Sequence, residues 1–453
     1  MAPKVLLIFQ APKRRKFYIN TLPPLGILGI ISYLQKNNIL ADVIDYNVED
    51  RTNLDLKRYD IIGLSLNMAN ISNSLDFINY LKEQNPKVKI IVGGPSCISN
   101  PLYFTRNENI DAICTGEGEE AMYDYIRQGG FTDDTGIPGL YTRGKKGHFI
   151  YGGDRPYLDN LDKLPFPALN KVSLDKYRIP LSKSFPISSI ITSRGCPFHC
   201  IFCFHTFGYK WRPRSSTNVV DEVEWQVKEL GVREICIQDD NFCLDLNRAK
   251  EIFDLILKRD IKVKLQFQNG IRVDNVDFEV LNKMHRAGVW LVGLAPETGS
   301  LRMIEKIKKD VDLDKIRQVV QWCQKIGMNT YAYFMIGFPS ETMLDLEQTA
   351  FLIENLNTDF MQISRLIPFP RTPLYTMIVD EGIENSFGQE QGCFFGIPRI
   401  KISEISDRQL KRLIKQIHRS FYLKFSRMVK LIKILPPLNL IKLFIYSIRT
   451  KNV

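Results

Sequence analysis

Short apolar runs alternate with helix-length segments along most of the chain, and this alternation restricts the possible folds more than any other feature. In the first third, five apolar runs are typical of buried strands, and segments between them are typical of helices. The predicted strands cover 5–9, 42–46, 61–66, 89–92 and 112–115, and the predicted helices cover 25–35, 72–84 and 118–127. Strands that alternate with helices form a parallel sheet covered on both faces, so we predict a doubly wound α/β domain over 1–150.

A second alternating series follows a proline-rich linker, which we place at 151–186 because five prolines fall between 154 and 186. The predicted strands of this series cover 187–192, 234–238, 264–268, 290–294, 330–335 and 360–366. The predicted helices cover 218–230, 246–259, 277–287, 313–326 and 343–355. Six β/α repeats predict a partial barrel over 187–376, with functional groups at the carboxyl ends of its strands. Residues 377–453 are expected to form an α-helical C-terminal region.

The basic charge of the chain is concentrated near its end. The formal net charge is +11, and residues 408–453 alone contain twelve Lys or Arg and no Asp or Glu. Apolar residues interleave with these charges at helical spacing. The pattern indicates either a basic amphipathic tail that binds a membrane surface or an acidic partner, or a helix packed on the catalytic domain with a solvated basic face. No nucleic-acid-binding module accompanies the charge, so no nucleic-acid partner is expected.

Cysteine use and the first residues predict a cytoplasmic location, with membrane association in one interpretation of the tail. Nine cysteines in 453 residues do not form a secreted disulfide framework. The basic residues at 13–16 follow the first apolar run instead of preceding it, which is the wrong order for a secretory signal.

Three closely spaced cysteines carry the strongest chemical information. Cys196, Cys200 and Cys203 lie in the run Ile191-Thr-Ser-Arg-Gly-Cys-Pro-Phe-His-Cys-Ile-Phe-Cys203. A structural zinc site or a saturated iron–sulfur cluster takes four protein ligands. Three thiolates therefore indicate a cluster with one iron open to a small molecule, or a zinc site completed by His199 or His205.

The Cys-x3-Cys-x-Phe-Cys spacing, preceded by a strand-like 187–192, resembles the radical SAM superfamily. The resemblance implies that the three cysteines hold a [4Fe-4S] cluster and that S-adenosylmethionine binds the fourth iron. It also implies an external one-electron reductant, such as ferredoxin or flavodoxin, and cleavage of S-adenosylmethionine to a 5′-deoxyadenosyl radical.

The N-terminal domain adds a second resemblance, to the cobalamin-binding radical SAM enzymes of the class B methyltransferase type. It is carried by Pro23-Pro24-Leu25-Gly26-Ile27, Gly63-Leu-Ser-Leu66, Gly93-Gly94 and Cys114-Thr-Gly-Glu-Gly-Glu119. Ser65, Gly93 and Gly94 would then rim a cobalamin site, because glycines allow close backbone approach. The Asp-x-His-x-x-Gly motif of many cobalamin proteins is missing, so no histidine is expected on cobalt. The alternative is a doubly wound domain that binds no cofactor.

Polar residues after the second and third barrel strands are candidates for contact with substrate or with the methionine part of S-adenosylmethionine. Asp239 and Asp240 end the second strand, and Arg272 follows the third. We predict catalytic roles for all three, and a cofactor-binding role for Asp240 as well. The alternatives are ordinary turn chemistry for the two aspartates and a surface ion pair for Arg272.

Two further strand ends are assigned to S-adenosylmethionine by the resemblance. Glu297 ends the fourth strand, where relatives accept the ribose hydroxyls. Gly337 and Phe338 follow the fifth strand, and their loop is expected to lie against the adenine.

The resemblance implies a methyltransferase that methylates an unactivated carbon through a 5′-deoxyadenosyl radical and methylcobalamin. Two alternatives remain open: a radical cyclase, oxidoreductase or rearrangement enzyme with the same domains, and a non-enzymatic sensor that binds cobalamin or the cluster. The substrate is a peptide, a lipid or a small molecule, and the sequence does not choose among them.

Overall fold

The computed structural model describes residues 3–12, 21–50, 55–129, 136–380 and 405–434. Within these ranges the chain divides into two compact units. The first comprises the described residues up to Arg178 together with Phe204–Gly208, and the second comprises the other described residues from Ile179 onward. Each unit is mixed α/β with its own sheet.

The first unit is built on a seven-stranded sheet. Its strands are β1 (Val5–Phe9), β2 (Ala41–Asp45), β3 (Ile61–Ser65), β4 (Lys89–Gly93), β5 (Ala112–Cys114), β6 (Leu140–Arg143) and β7 (Phe149–Tyr151). They lie in the order β2-β1-β3-β4-β5-β6-β7, and the first five are parallel. This order has a switch point between β1 and β3, where doubly wound sheets bind ligands beyond the carboxyl ends of their strands.

Helices follow β1, β3, β4 and β5 of the first unit, and those after β1, β3 and β5 were predicted. They are α1 (Leu25–Lys36), α2 (Ile71–Gln84), α3 (Pro95–Ser99), α4 (Pro101–Phe104) and α5 (Gly118–Arg127). In α1 the buried residues include Ile27, Ile31 and Leu34, which share one face because they are three or four positions apart. The doubly wound prediction is confirmed.

The hairpin of β6 and β7 was not predicted. β6 pairs antiparallel with β5, and β7 pairs antiparallel with β6. The sequence gives little signal here because both strands are short and β7 is only half-buried or exposed. The proline-rich segment that follows contains three single-turn 3₁₀ helices, at Leu161–Lys163, Leu169–Lys171 and Leu174–Lys176.

The second unit is built on six parallel strands in sequential order. Together with a short two-stranded ribbon, the strands described in this unit are β8 (Ile187–Ile190), β9 (Ser193–Arg194), β10 (Arg212–Pro213), β11 (Glu234–Ile237), β12 (Lys264–Ile271), β13 (Val289–Glu297), β14 (Asn329–Ile336) and β15 (Phe360–Arg365). The sheet runs β15-β14-β13-β12-β11-β8, whereas β9 and β10 form a separate antiparallel ribbon. This is the predicted partial barrel of six β/α repeats.

The barrel helices begin where polar residues cap them. They are α6 (Ser216–Lys228), α7 (Leu246–Lys258), α8 (Phe278–Arg286), α9 (Leu301–Lys306), α10 (Leu313–Ile326), α11 (Met343–Asn355) and α12 (Pro373–Asp380). The side chains of Asp245, Asp277 and Asp312 each accept a hydrogen bond from a backbone N–H of the first turn of α7, α8 and α10. Such caps satisfy N–H groups that have no partner within the helix.

Two helices near the end of the chain, α13 (Asp407–Tyr422) and α14 (Phe425–Ile434), belong to the second unit. The hydroxyl of Tyr422 accepts a hydrogen bond from the amide of Met361 and donates one to its carbonyl, so α13 is fixed to β15. The helical prediction for this region is confirmed over these spans, and the tail beyond 434 lies outside the described residues. In the ranges described, no helix has the length and apolar character needed to cross a membrane.

Candidate functional site

The three cysteines lie in one loop that follows β8. The pairing of β9 with β10 closes the base of this loop. Within it the amide of Cys203 donates to the carbonyl of Cys200 at 3.0 Å, a tight turn that keeps these two residues together. All three thiols are free, Cys200 is buried, and Cys196 and Cys203 are partly exposed. The structure therefore places them at the carboxyl end of the barrel strands, as predicted.

Ile201 anchors the cysteine loop to the barrel. Its amide donates to the carbonyl of Ile307 at 3.0 Å, and its carbonyl accepts from the amide of Leu374 at 3.0 Å. Its side chain is buried in an apolar cluster that includes Phe338. Because backbone hydrogen bonds and burial both fix this residue, Ile201 ties the middle of the cysteine loop to the barrel.

The electrostatic surroundings of the three thiols fit an iron–sulfur cluster. Burial, together with the neighbouring Cys200 and Cys196, raises the pKa of Cys203 to about 12. Burial also raises the pKa of Cys200, while the cations of Lys309 and Arg272 act in the opposite direction. A cysteine must lose its proton to bind iron. Bound iron would add its positive charge to that of Lys309 and Arg272 and so favour the thiolate form.

The described ranges contain no group of three His, Cys, Asp or Glu side chains that could hold a single metal ion. The zinc alternative requires such a group, whereas in a cubane cluster each thiolate binds a different iron atom. The ring of His199 stacks on that of Tyr209, with centroids 4.7 Å apart.

Asp239 and Asp240 both support the backbone just before Cys196, but in different ways. Asp239 is buried and accepts three hydrogen bonds, from the amide and hydroxyl of Thr192 and the hydroxyl of Ser193, at 2.6, 2.5 and 2.6 Å. Asp240 accepts one, from the amide of Gly195 at 3.1 Å, and is exposed, although enough protein surrounds its carboxyl to raise its pKa. Asp239 thus acts as a positioning residue, whereas Asp240 is accessible to a ligand.

Arg272 also supports the cysteine loop. Its guanidinium lies 3.5 Å from the ring centre of Phe198, which is two residues after Cys196. It forms an ion pair with Asp274 and donates to the carbonyl of Lys309 at 3.0 Å. The predicted surface ion pair is therefore present, but with a partly buried cation that holds the loop from one side.

Glu297 ends β13 in a conformation that non-glycine residues seldom adopt. Its φ is +64°, next to an irregularity in the pairing of β13 with β14. Its buried carboxylate accepts a hydrogen bond from Nζ of Lys309 at 2.9 Å. Strained backbone of this kind concentrates at ligand sites. Lys309, which also lies 5.9 Å from the ring centre of Phe202, was not predicted as a site residue.

Gly337 and Phe338 follow β14, beside the cysteine loop. The rings of Phe202 and Phe338 meet edge to face, with centroids 5.9 Å apart. The amides of Gly337 and Phe338 donate to one carboxylate oxygen of the buried Glu341, at 2.5 and 3.3 Å. Both amides already have an acceptor. An adenine held by this loop would therefore contact the backbone carbonyls of the loop and the ring of Phe338.

The first unit brings Ser65, Gly93 and Gly94 together at the carboxyl ends of β3 and β4. Ser65 pairs with Gly93 in the sheet. Gly94 has a φ of +91°, and a Cβ there would lie 2.8 Å from the carbonyl oxygen of Leu66 and 2.9 Å from Oγ of Ser65. A side chain at position 94 would therefore collide with the end of β3, so this turn requires glycine.

A buried asparagine joins the two strand ends at the switch point. Nδ2 of Asn70 donates to the carbonyls of Gln10 and Ser65, both at 3.1 Å, and its Oδ1 accepts from the amide of Asn67 at 2.9 Å. Nε2 of Gln10 is buried and has no hydrogen-bond partner among the described residues. Because β1, β3 and β4 are neighbours, this buried polar atom lies at the same ends of the strands as Gly93 and Gly94. Such an atom can bind a polar group at the edge of a large ligand such as cobalamin.

His148 lies at the opposite ends of the strands of this sheet. It belongs to the exposed turn between β6 and β7. β6 runs from Leu140, opposite Cys114, to Arg143, so this turn lies beyond the amino ends of the parallel strands. The carboxyl edge with Gly93 and Gly94 is therefore separated from His148 by the length of the strands.

Two family models match the chain, one in each α/β region. The model described as the Radical SAM superfamily matches residues 190–353, and the model described as the B12 binding domain matches residues 19–126. The chain belongs to the cobalamin-binding radical SAM enzymes. It is an enzyme of this family related to methyltransferases, as its sequence predicted.

Curated relatives of this cobalamin-binding radical SAM enzyme include methyltransferases and a cyclase. An uncharacterized methyltransferase of Pyrococcus horikoshii is 27% identical over 94% of both chains. The cytidylyl-2-hydroxyethylphosphonate methyltransferase of Streptomyces wedmorensis is 27% identical over 62% of this chain, which spans only 58% of that relative. The anaerobic magnesium-protoporphyrin IX monomethyl ester cyclase of Rubrivivax gelatinosus is 25% identical over 79% of this chain and 67% of its own length.

Solved structures of the same family share the fold. The cobalamin-dependent radical enzyme OxsB, solved with aqua-cobalamin and S-adenosylmethionine, matches 98% of this chain and 70% of its own length, with a TM-score of 0.74 and 19% identity. The methyltransferase TsrM of Kitasatospora setae, solved with cobalamin and a [4Fe-4S] cluster, covers 84% of this chain and 75% of its own, with a TM-score of 0.67 and 18% identity. At these identities the likeness shows the fold alone.

Sequence reasoning missed three residues that the structure places at the candidate sites: Lys309, Glu341 and Asn70. Lys309 lies in an irregular segment after α9, so no strand end drew attention to it. Glu341 lies in the loop after β14, where a single glutamate forms no recognisable pattern. Asn70 immediately precedes α2, a position where a side-chain cap would be the ordinary expectation, yet its side chain joins two strand ends instead.

Proposed function

We propose that this chain is a cobalamin-dependent radical SAM methyltransferase that methylates an unactivated carbon. The observation that carries the proposal is the presence of a Radical SAM and a B12 binding domain in one chain. A hopanoid C-3 methylase of Methylococcus capsulatus, 26% identical over 74% of this chain, supports it. The family's cofactors are a [4Fe-4S] cluster, S-adenosylmethionine and cobalamin. When bound, they supply a hydrogen-abstracting carbon radical and a methyl carrier.

The protein's part in this proposal is to hold and orient these groups. Cys196, Cys200 and Cys203 hold the cluster, in a loop fixed by Ile201 and by Asp239. An external one-electron reductant of the ferredoxin or flavodoxin class is the proposed partner.

S-adenosylmethionine is proposed to lie between the cysteine loop and two strand ends. Glu297 accepts the ribose hydroxyls, and Gly337 with Phe338 lies against the adenine. Asp240 is exposed beside Cys196 and is suited to the cationic amino group of the methionine part. In the first unit, Ser65, Gly93 and Gly94 contact the corrin. Arg272 contributes by positioning the cysteine loop.

A second candidate function is a radical cyclisation with the same domains. The observation that favours it is the relationship to the magnesium-protoporphyrin monomethyl ester cyclase, which covers more of this chain than the phosphonate methyltransferase does. Both activities need the cluster and the radical, and they differ only in what happens to the substrate afterwards.

The test is an anaerobic assay with S-adenosylmethionine that carries a trideuterated methyl group. Candidate peptides, lipids and small molecules are supplied with a chemical reductant, and products are analysed by mass spectrometry. Methyl transfer yields a product that contains the intact labelled methyl group, together with 5′-deoxyadenosine and S-adenosylhomocysteine. An unlabelled, altered product would establish the cyclase or oxidoreductase alternative, and absence of 5′-deoxyadenosine would favour the sensor.

A matched pair of variants controls this assay. Cys200→Ala should lose bound iron and all 5′-deoxyadenosine formation. Cys323→Ala removes an equally buried thiol on α10, away from the cysteine loop, and should retain both. Full iron content in Cys200→Ala would contradict the assignment of the cluster.

A further inference from the structure

Helix α13 has two faces with different surroundings. One face is apolar and buried: Leu410, Ile414, Ile417 and Phe421 recur at positions three or four apart and are at most 9% exposed. This face packs on the second unit, where α13 contacts α11 and Tyr422 binds β15. The packed-helix interpretation of the tail is therefore correct for the inner face, but it leaves the outer face unexplained.

The outer face of α13 is a stripe of five cations, the basic stripe: Arg408, Lys411, Arg412, Lys415 and Arg419. All five are exposed, and with Gln416 they line a groove of about 500 Å³. No acidic side chain in the described ranges forms an ion pair with any of them. The stripe contains three like-charge pairs four residues apart, and such pairs destabilise a helix. From Arg408 onward the sequence contains no Asp or Glu, so no acidic residue within the stripe offsets its charge.

Helix α14 adds apolar side chains that the described part of the chain leaves exposed. Phe425, Val429 and Ile432 lie four and three positions apart on one side of the helix and are 78%, 37% and 64% exposed. Leu423, just before the helix, is 49% exposed. The opposite side is anchored, because Leu431 is buried in a cluster with Phe360 of β15.

The combination of a basic stripe and exposed apolar side chains selects one kind of partner. A nucleic acid would use the charge but not the apolar groups. The interface of an anionic bilayer uses both, because lipid phosphates attract the cations while aromatic and aliphatic side chains insert at the boundary of the acyl chains. The sequence that follows is in keeping with this, since 435–448 contains one charged residue, Lys442.

We propose that helices α13 and α14 form a docking surface for anionic lipid membranes. The basic stripe supplies the salt-sensitive attraction, and the exposed residues of α14 supply the insertion into the interface. This role goes beyond the proposed methyl transfer and does not depend on it, because neither helix contributes a candidate site residue.

The experiment is sedimentation of the full chain with phosphatidylcholine vesicles that contain or lack phosphatidylglycerol. We expect binding only to the anionic vesicles, weaker as salt is added. Lys411→Glu/Lys415→Glu should weaken binding at least about tenfold, since each basic residue near the surface contributes about fivefold. The matched control Lys145→Glu/Lys146→Glu changes the charge equally in the exposed β6–β7 turn and should bind as the wild type does.

A second pair of substitutions tests the insertion. Phe425→Ser/Ile432→Ser should reduce binding while leaving the melting temperature unchanged, because both side chains are exposed. Absence of binding of the wild type to anionic vesicles at low salt would overturn the proposal. Equal loss in the two charge-reversed variants would also overturn it, since the effect would then reflect net charge and not this surface.

Discussion

Asp239 and Thr192 form a buried bridge between the ends of two neighbouring barrel strands. The carboxylate of Asp239 accepts from both the amide and the hydroxyl of Thr192, at 2.6 and 2.5 Å. Thr192 lies four residues before Cys196, so this bridge sets where the cysteine loop leaves the sheet. Asp239, which the sequence predicted to be catalytic, thus fixes the start of the loop that contains Cys196, Cys200 and Cys203.

The bridge predicts different effects for two adjacent substitutions. Asp239→Asn places an amide donor against three donors, and leaving buried donors without acceptors should cost about 2 to 3 kcal/mol of stability. Asp240→Asn affects a single hydrogen bond at an exposed residue and should cost less than about 1 kcal/mol. Thermal unfolding measures both effects, and iron content after reconstitution should fall in Asp239→Asn alone. Equal stability of the two variants would contradict the bridge.

The ion pair between the buried Glu297 and the partly buried Lys309 predicts a coupled effect on stability. Glu297→Gln leaves the Lys309 ammonium without its counter-charge, and Lys309→Met does the same to the carboxylate. Breaking a buried pair in this way should cost about 3 kcal/mol in each single variant. The double variant should cost much less than the sum, because neither charge is then left alone. Urea unfolding of the four proteins provides the measurement, and additive losses would show that the pair is not coupled.

Sequence patterns predicted most of the fold and part of the site, for a physical reason. Most of the parallel strands are rich in apolar residues, so β1 to β5, β8 and β11 to β15 could be recognised. β6 and β7 could not, since they are short and half-exposed. The cysteines have a local spacing that is visible in sequence. The Lys309–Glu297 and Asn70–Gln10 contacts join residues 12 and 60 positions apart through loops, where no periodicity indicates which groups meet.

Glu341 predicts a pH dependence of stability near neutrality. Burial raises the pKa of Glu341 to about 7, more than the hydrogen bonds from Gly337 and Phe338 lower it. The folded state therefore binds this proton more tightly than the unfolded state, whose carboxyl has a pKa near 4.5. The resulting stabilisation is complete below about pH 4.5 and is lost as the pH rises through about 7.

Glu341→Gln carries no titrating proton at this position. Relative to the wild type, its stability should increase between about pH 5 and pH 8, by up to about 3 kcal/mol. Urea unfolding at several pH values measures this difference. Glu347→Gln, on the exposed side of α11, is the control and should keep the wild-type profile. A constant difference between Glu341→Gln and the wild type across this range would contradict the raised pKa.

Gly94→Ala tests the proposed corrinoid site at the carboxyl ends of β3 and β4. Gly94→Ala combines a φ of +91° with a Cβ 2.8 Å from a backbone oxygen, and should cost about 1 to 3 kcal/mol of stability. Corrinoid retention after anaerobic purification should fall with it. Gly147→Ala in the β6–β7 turn is the matched control, because Gly147 has a similar φ of +82° and a Cβ there meets nothing within 4 Å. Equal retention by both variants would place the cobalamin elsewhere.

The position of His148 predicts the coordination of cobalt. This histidine is the only one before residue 178, and its turn lies beyond the amino ends of the parallel strands, opposite the glycine cradle. We expect bound cobalamin to have its dimethylbenzimidazole displaced, and the position of His148 indicates that this histidine does not replace it. Electron paramagnetic resonance of the cobalt(II) form should show no nitrogen superhyperfine splitting, and His148→Ala should give the same spectrum. A nitrogen splitting that disappears in His148→Ala would place the cobalt at the other edge of the sheet and overturn the assignment of Ser65, Gly93 and Gly94.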